Sequence, residues 1–231
     1  MTDVTISAAD GGSFKAYLAT PKGGKGPGIV LIQEIFGVNK VMRDIADGLA
    51  AQGYAVLCPD IFWRQQPGIQ LTDKTDAEWA RAFELYKGFN EAKGVDDLKA
   101  TLAHLRKLPA CTGKVGAVGY CLGGKLAYLM ATRSDADCSV GYYGVGIEGA
   151  LGEAKNIRKP LLLHIAAKDQ FCPPEAQAKI EAGLKGNAHV TMRVYAGMDH
   201  AFARVGGKHY DKTNADLANS RTADFFKKNL A

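Results

Sequence analysis

Val115-Gly116-Ala117-Val118-Gly119-Tyr120-Cys121-Leu122-Gly123-Gly124-Lys125-Leu126 is the stretch whose reading decides the fold. Its opening is a short apolar run of the kind that forms a strand buried on both faces, and Leu122 to Thr132 reads as a helix. Cys121 falls three residues beyond the run ending at Val118 and directly before that helix. The glycines flanking it suit a sharp turn in which neighbouring side chains would collide with strand or helix. Strand, tight turn and helix make a βα unit, the building block of a parallel sheet.

Working outward, the same alternation recurs. Wholly apolar runs lie at Gly28 to Ile32, Tyr54 to Cys58, Cys138 to Tyr142, Leu161 to Ile165 and Val190 to Val194. Helices are predicted at about residues 40 to 52, 76 to 88, 90 to 107, 122 to 132, 174 to 185 and 213 to 229. In the first of these, Val41, Ile45, Leu49 and Ala50 recur at helical spacing, with Gly53 placed to end it. Val4 to Ser7 and Phe14 to Thr20 alternate as an antiparallel edge hairpin does, and Lys22 to Gly28 reads as a surface turn. The expectation is an α/β protein with a mostly parallel, doubly wound sheet, an N-terminal antiparallel hairpin and right-handed crossovers. No repeat or linker divides it, so residues 1–231 read as one domain, with reactive groups at the carboxyl ends of the strands.

Composition narrows the class. The 231 residues are 47% hydrophobic and 23% charged, and a chain of this length buries roughly 70–75% of its unfolded surface without staples. Met1 to Thr5 carries no leader signal and no run approaches a membrane span, which predicts a cytoplasmic protein with no membrane partner. Cys58, Cys111, Cys121, Cys138 and Cys172 are scattered and odd in number, which argues against disulfides and a zinc site. The net charge of +5 is spread along the chain. It gives little support for nucleic-acid binding and mildly favours small anionic substrates.

The chemistry centres on Cys121. A G-x-S-x-G turn presents a nucleophile at the top of such a sheet, and here cysteine replaces the serine. The following helix directs its positive end at the sulfur, and with a nearby imidazolium that can bring a thiol with an ordinary pKa of about 8.5 into the neutral range. The alternative is a buried structural thiol. In this arrangement the chain order is nucleophile, acid, histidine, each after a strand. Asp169 follows the strand at 161–165 and His200 the strand at 190–194, the first to orient the imidazole and the second to exchange the proton with Cys121. Alone, Asp169 would read as a loop residue and His200 as a surface histidine. Asp199 is a rival acid; His104 lies mid-helix, His164 inside a core strand, His189 at a strand start and His209 in a late loop. Glu34 leaves the first central strand in Gln33-Glu34-Ile35-Phe36-Gly37, where it could accept the thiol proton, repel a premature thiolate, or simply be a solvated turn residue. The backbone N–H groups of Ile35 and Leu122 are the candidate oxyanion donors.

Gln33 to Asn39, Cys58-Pro59-Asp60, Gly119 to Gly124, Gly141 to Gly146 and His200-Ala201-Phe202-Ala203-Arg204 together resemble the dienelactone hydrolase (carboxymethylenebutenolidase) family over almost the whole length. The resemblance implies an α/β-hydrolase fold and hydrolysis of a dienelactone, 4-carboxymethylenebut-2-en-4-olide, to maleylacetate in chlorocatechol degradation. It implies a monomer acting on a small lactone or ester without metal or organic cofactor. By resemblance Cys121, Asp169 and His200 are the triad, Glu34 pairs with the thiol at rest, and Arg204 binds the substrate carboxylate. Two positions depart from the pattern. Trp79 falls at the family's second arginine, with Arg81 two residues further on, about 200° around a helix. Ala201 stands where a serine follows the histidine. Trp79, Phe36, Tyr86 and Phe202 are therefore candidates to line a more apolar pocket. Rival readings are an esterase or thioesterase of the same family with another substrate, a glutamine-amidotransferase-like enzyme, and a lapsed, ligand-binding hydrolase scaffold.

Overall fold

The computed structural model describes residues 2 to 231, so Met1, where the stretch read for a leader begins, lies outside them. Strands β1 (Thr2–Ser7), β2 (Ser13–Ala19), β3 (Gly26–Ile32), β4 (Ala55–Pro59), β5 (Cys111–Tyr120), β6 (Cys138–Tyr142), β7 (Leu161–Ala166) and β8 (Val190–Tyr195) form a sheet in the order β1-β2-β4-β3-β5-β6-β7-β8. Helices α1 (Lys40–Ala51), α2 (Asp76–Lys87), α3 (Glu91–Lys107), α4 (Leu122–Arg133), α5 (Pro174–Leu184) and α6 (Lys212–Leu230) fall between and after them. No helix among the described residues is long and apolar enough to cross a membrane. The chain divides into two compact units between Gly116 and Ala117.

In the first unit β1 and β2 pair antiparallel, with Thr5 opposite Lys15, and β2 pairs antiparallel with β4. β3 and β4 are parallel, and Ile29 to Ile32 and Ala55 to Cys58 are fully buried, as apolar runs in a covered sheet must be. Helix α1 starts where the Asn39 side chain accepts the Met42 N–H at 3.2 Å and buries Met42, Ala46 and Ala50 at four-residue spacing. Gly53 follows it at φ +104°, the predicted stop. Helix α3 packs on β3 and β4 through Val95, Leu98, Leu102 and Leu105, and each buried leucine contributes roughly 2 kcal/mol.

In the second unit β6, β7 and β8 run parallel, with Tyr142 opposite His164 and His164 opposite Arg193. Helix α4 is buried nearly all round, from Leu122 to Thr132, and packs on β6 and on a 3-10 helix, Ile147–Asn156, that the sequence periodicity did not suggest. Helix α6 covers β6 and β7. The other difference lies in β5, which continues through Gly119 and Tyr120. Tyr120 is buried and stacks on Tyr142 at 4.6 Å, extending the strand up to Cys121 itself.

Candidate active site

Cys121 sits at φ 56°, ψ −116° between β5 and α4. This left-handed conformation costs a non-glycine residue about 1–3 kcal/mol and persists only where the surroundings enforce it. The enforcement is visible. The Cys121 N–H donates to the Tyr142 carbonyl at 3.1 Å, while its own carbonyl accepts from Gly124 at 2.9 Å and Lys125 at 3.3 Å. A Cβ at Gly119 would lie 1.9 Å from the Gly123 carbonyl oxygen, and one at Gly124 would lie 2.4 Å from that of Tyr142. Both flanking positions therefore exclude side chains. Leu122 supplies the first amide of α4, which has no carbonyl of its own helix to bond.

The acid and the base converge on this turn. His200 Nδ1 lies 2.7 Å from Asp169 Oδ2, with the carboxylate side chain 1% and the imidazole 10% exposed. The other Asp169 oxygen accepts the Phe171 N–H at 2.8 Å, which fixes the carboxylate plane. Burial alone would push the His200 pKa down. The Cys121 sulfur, by its charge and a hydrogen bond, and the Asp169 carboxylate outweigh it and raise His200 to about 10. His200 thus lies between a buried carboxylate and the sulfur, and both favour its charged form. Asp199 takes no part in this relay: one oxygen accepts the His200 backbone N–H at 2.7 Å and the other lies 3.6 Å from His209 Nδ1.

Two aromatic rings that the sequence did not single out enclose the histidine. Phe171 meets the imidazole edge-on at 4.9 Å and Tyr143 at 5.1 Å. In sequence both look ordinary, one a turn residue and one a strand-end aromatic; the signals were the pairing of Phe171 with the Asp169 turn and the Tyr142-Tyr143-Gly144 run. Phe202 is fully buried between Tyr143 and Tyr195, so in this structure it supports the ring behind His200. Arg204 is buried, and its backbone N–H donates to the Ala201 carbonyl at 2.9 Å.

The remaining candidates belong to the first unit. Glu34 and Ile35 are buried in the turn after β3, where Gln33 braces the backbone by accepting the Ile61 N–H at 3.3 Å and donating to the Glu34 carbonyl at 3.2 Å. Trp79 packs edge-on against Phe36 at 4.9 Å and donates its indole N–H to the Asp73 carbonyl at 3.1 Å. Arg81, on the same helix, has its guanidinium paired with Glu84 and Gln66, both at 2.5 Å. Tyr86 is partly exposed. Among the described residues no group of three or more histidine, cysteine, aspartate or glutamate side chains is arranged to hold a metal ion.

A family model for the dienelactone hydrolase family matches residues 14–230. A provisionally named carboxymethylenebutenolidase of Azospirillum brasilense is 55% identical over the full length of both chains. The carboxymethylenebutenolidase of Pseudomonas putida is 40% identical, over 96% of this chain and 94% of its own. Among solved structures, a provisionally assigned dienelactone hydrolase from Klebsiella pneumoniae superposes with a TM-score of 0.86 at 25% identity, covering 98% of this chain and 97% of the other. With its strained cysteine turn on a mostly parallel sheet, the chain belongs to the dienelactone hydrolase family and is a hydrolase of ester or lactone bonds on the α/β-hydrolase fold.

Proposed function

We propose that the protein opens a dienelactone to maleylacetate through a Cys121–His200–Asp169 triad, in the breakdown of chlorinated aromatics by way of chlorocatechols. The observation that carries this reading is the turn itself: a cysteine held at φ 56° with its sulfur hydrogen-bonded to a histidine whose Nδ1 meets a buried carboxylate. The names of the Pseudomonas putida and Azospirillum brasilense relatives supply the substrate class.

In the proposed reaction the Cys121 thiolate attacks the lactone carbonyl and the oxyanion forms against the Leu122 N–H, with the Ile35 N–H as second donor; each such donor contributes about 3 kcal/mol. Collapse breaks the ring C–O bond, expels an enolate and leaves an acyl thioester on Cys121. The enolate takes a proton, from His200 or from the incoming water. Hydroxide equivalent then adds to the thioester, the C–S bond breaks, the new carboxyl group gives its proton to solvent, and the carboxylate product leaves with Cys121 and His200 restored. Glu34, from the buried turn after β3, is the proposed resting partner of the thiol. Arg204 is the proposed partner of the substrate carboxylate; Arg81 is left out, since Glu84 and Gln66 already engage its guanidinium. Trp79 and Phe36 form the proposed apolar wall. The enzyme is further proposed to work as a single-domain cytoplasmic monomer with no nucleic-acid or membrane partner.

The test is direct. Purified protein should convert dienelactone to maleylacetate, Cys121→Ala should lose that activity while keeping its circular dichroism spectrum, and rapid quenching should trap an acyl group on Cys121. Retained activity in the alanine variant would refute the triad.

A further inference from the structure

Beneath the cysteine turn, where α6 covers the sheet, buried side chains form an unbroken hydrogen-bond chain that the reaction does not use. His164 Nδ1 lies 2.7 Å from the Tyr195 hydroxyl and its Nε2 lies 2.9 Å from Thr222 Oγ1. Thr222 Oγ1 is 2.6 Å from the Tyr142 hydroxyl, which donates to Asn219 Oδ1 at 3.0 Å. At the far end the Arg221 side chain bonds the Tyr195 hydroxyl. His164, Tyr142, Tyr195 and Thr222 are all buried.

Donor and acceptor chemistry gives this chain one direction. The Tyr142 hydrogen goes to the Asn219 amide oxygen, so Tyr142 accepts from Thr222 and Thr222 from His164 Nε2; Tyr195, which accepts from the Arg221 guanidinium, then gives its hydrogen to Nδ1 of the neutral ring. Nδ1 is then the acceptor, and Nε2 carries the proton. Every hydroxyl donates once, and both ends and the middle of the chain lie on α6. Burial, with Arg221 and Arg193 nearby, lowers the His164 pKa to about 3, in keeping with this neutral form.

Two members of the chain also hold the active turn through their backbones. The Tyr142 carbonyl accepts the Cys121 N–H at 3.1 Å, and the His164 carbonyl accepts the Tyr143 N–H at 2.8 Å. Tyr143 sits at φ 37° with its ring on His200. We infer that the chain Arg221–Tyr195–His164–Thr222–Tyr142–Asn219 is a positioning device for the Cys121–His200 pair, with Thr222 its central residue. The inference rests on the proposed function for its consequence in catalysis, though not for its geometry.

Thr222→Val keeps the side-chain shape and removes the hydroxyl; Thr222→Ser keeps the hydroxyl. Alkylation of Cys121 by iodoacetamide, followed by mass spectrometry from pH 5 to 9, reads the pair without any substrate. The valine variant should slow alkylation at neutral pH by about fivefold or more and the serine variant should restore it. The kcat for dienelactone should fall by about tenfold with KM within about twofold, since small displacements of reacting groups act on the chemical step. Nitrogen-15 spectra should show His164 as the neutral Nε2–H tautomer. A wild-type alkylation profile in folded Thr222→Val, or an Nδ1–H tautomer, overturns the proposal. Should Thr222→Val fail to fold, Tyr195→Phe, which keeps the ring and breaks one link, takes its place under the same criteria. If the wild type hydrolyses no lactone, the alkylation arm still decides: an altered profile upholds the positioning device while the proposed function falls.

Discussion

His200 and His164 lie in the same unit, each almost wholly removed from water, one on the loop after β8 and the other within β7. His200 is raised to about 10 although its burial pulls the other way, and His164 is lowered to about 3. The first faces a carboxylate and a sulfur; the second faces two hydroxyls, with arginines beyond. Burial sets the cost of a charge, and the partners decide whether it is borne. At similar depth the partners of His200 favour its charged form and those of His164 the neutral one.

The comparison breaks most severely if His200 loses its carboxylate. Asp169→Asn keeps the volume but should lower kcat by roughly 10²- to 10⁴-fold, by removing the charge and, with the amide oxygen on the Phe171 N–H, turning a donor toward Nδ1 that favours the wrong tautomer. Steady-state kinetics check this, and activity near wild type would mean that the 2.7 Å contact is not functional.

A second effect is on stability. His164 has a folded pKa below the ordinary 6.5, so its contribution is complete above 6.5 and is lost as pH falls from 6.5 toward 3. For His200 the folded pKa is above 6.5, so its contribution is complete below 6.5 and is lost as pH rises toward about 10. Each limb has a limiting slope of about 1.4 kcal/mol per pH unit. Denaturant unfolding across pH should therefore show a maximum near 6.5. His164→Asn should flatten the acid limb between pH 6.5 and 4.5, and an unchanged limb would show that the neutral imidazole carries no such cost.

The smallest effect is spectroscopic. The Cys121 charge is the first of the influences that raise His200, so Cys121→Ala should lower the His200 titration midpoint while the folded fraction stays constant. A histidine NMR titration measures it, and an unmoved midpoint would assign the whole elevation to Asp169.

Much of this was legible in the sequence, for physical reasons that also mark where legibility ended. Helix α1 declared itself through Val41, Ile45 and Leu49 and through Gly53, because an amphipathic face and a stop are local properties. The convergence of Cys121, Asp169 and His200 was readable because glycines constrain a turn locally and because loops after strands gather at one sheet edge. The 3-10 helix at Ile147–Asn156 was not, since its glycine- and alanine-rich run carries no apolar period. Tyr143 and Phe171 were missed because an aromatic residue beside a strand has the same composition whether it packs in a core or against an imidazole. Arg81, two residues out of phase, is engaged by Glu84 and Gln66, and the Gln66 partner, fifteen residues away, is not a local signal.

The cysteine turn also separates two kinds of constraint that selection acts on differently. At Gly119 and Gly124 even a methyl group would run into backbone, so in a library of every substitution these positions should fail in protein abundance although neither carries a reactive group. At Cys121, whose amide is held by Tyr142 whatever the side chain, small replacements should leave abundance intact and remove activity alone. Scoring the two readouts side by side would map the scaffold of the nucleophile apart from the nucleophile.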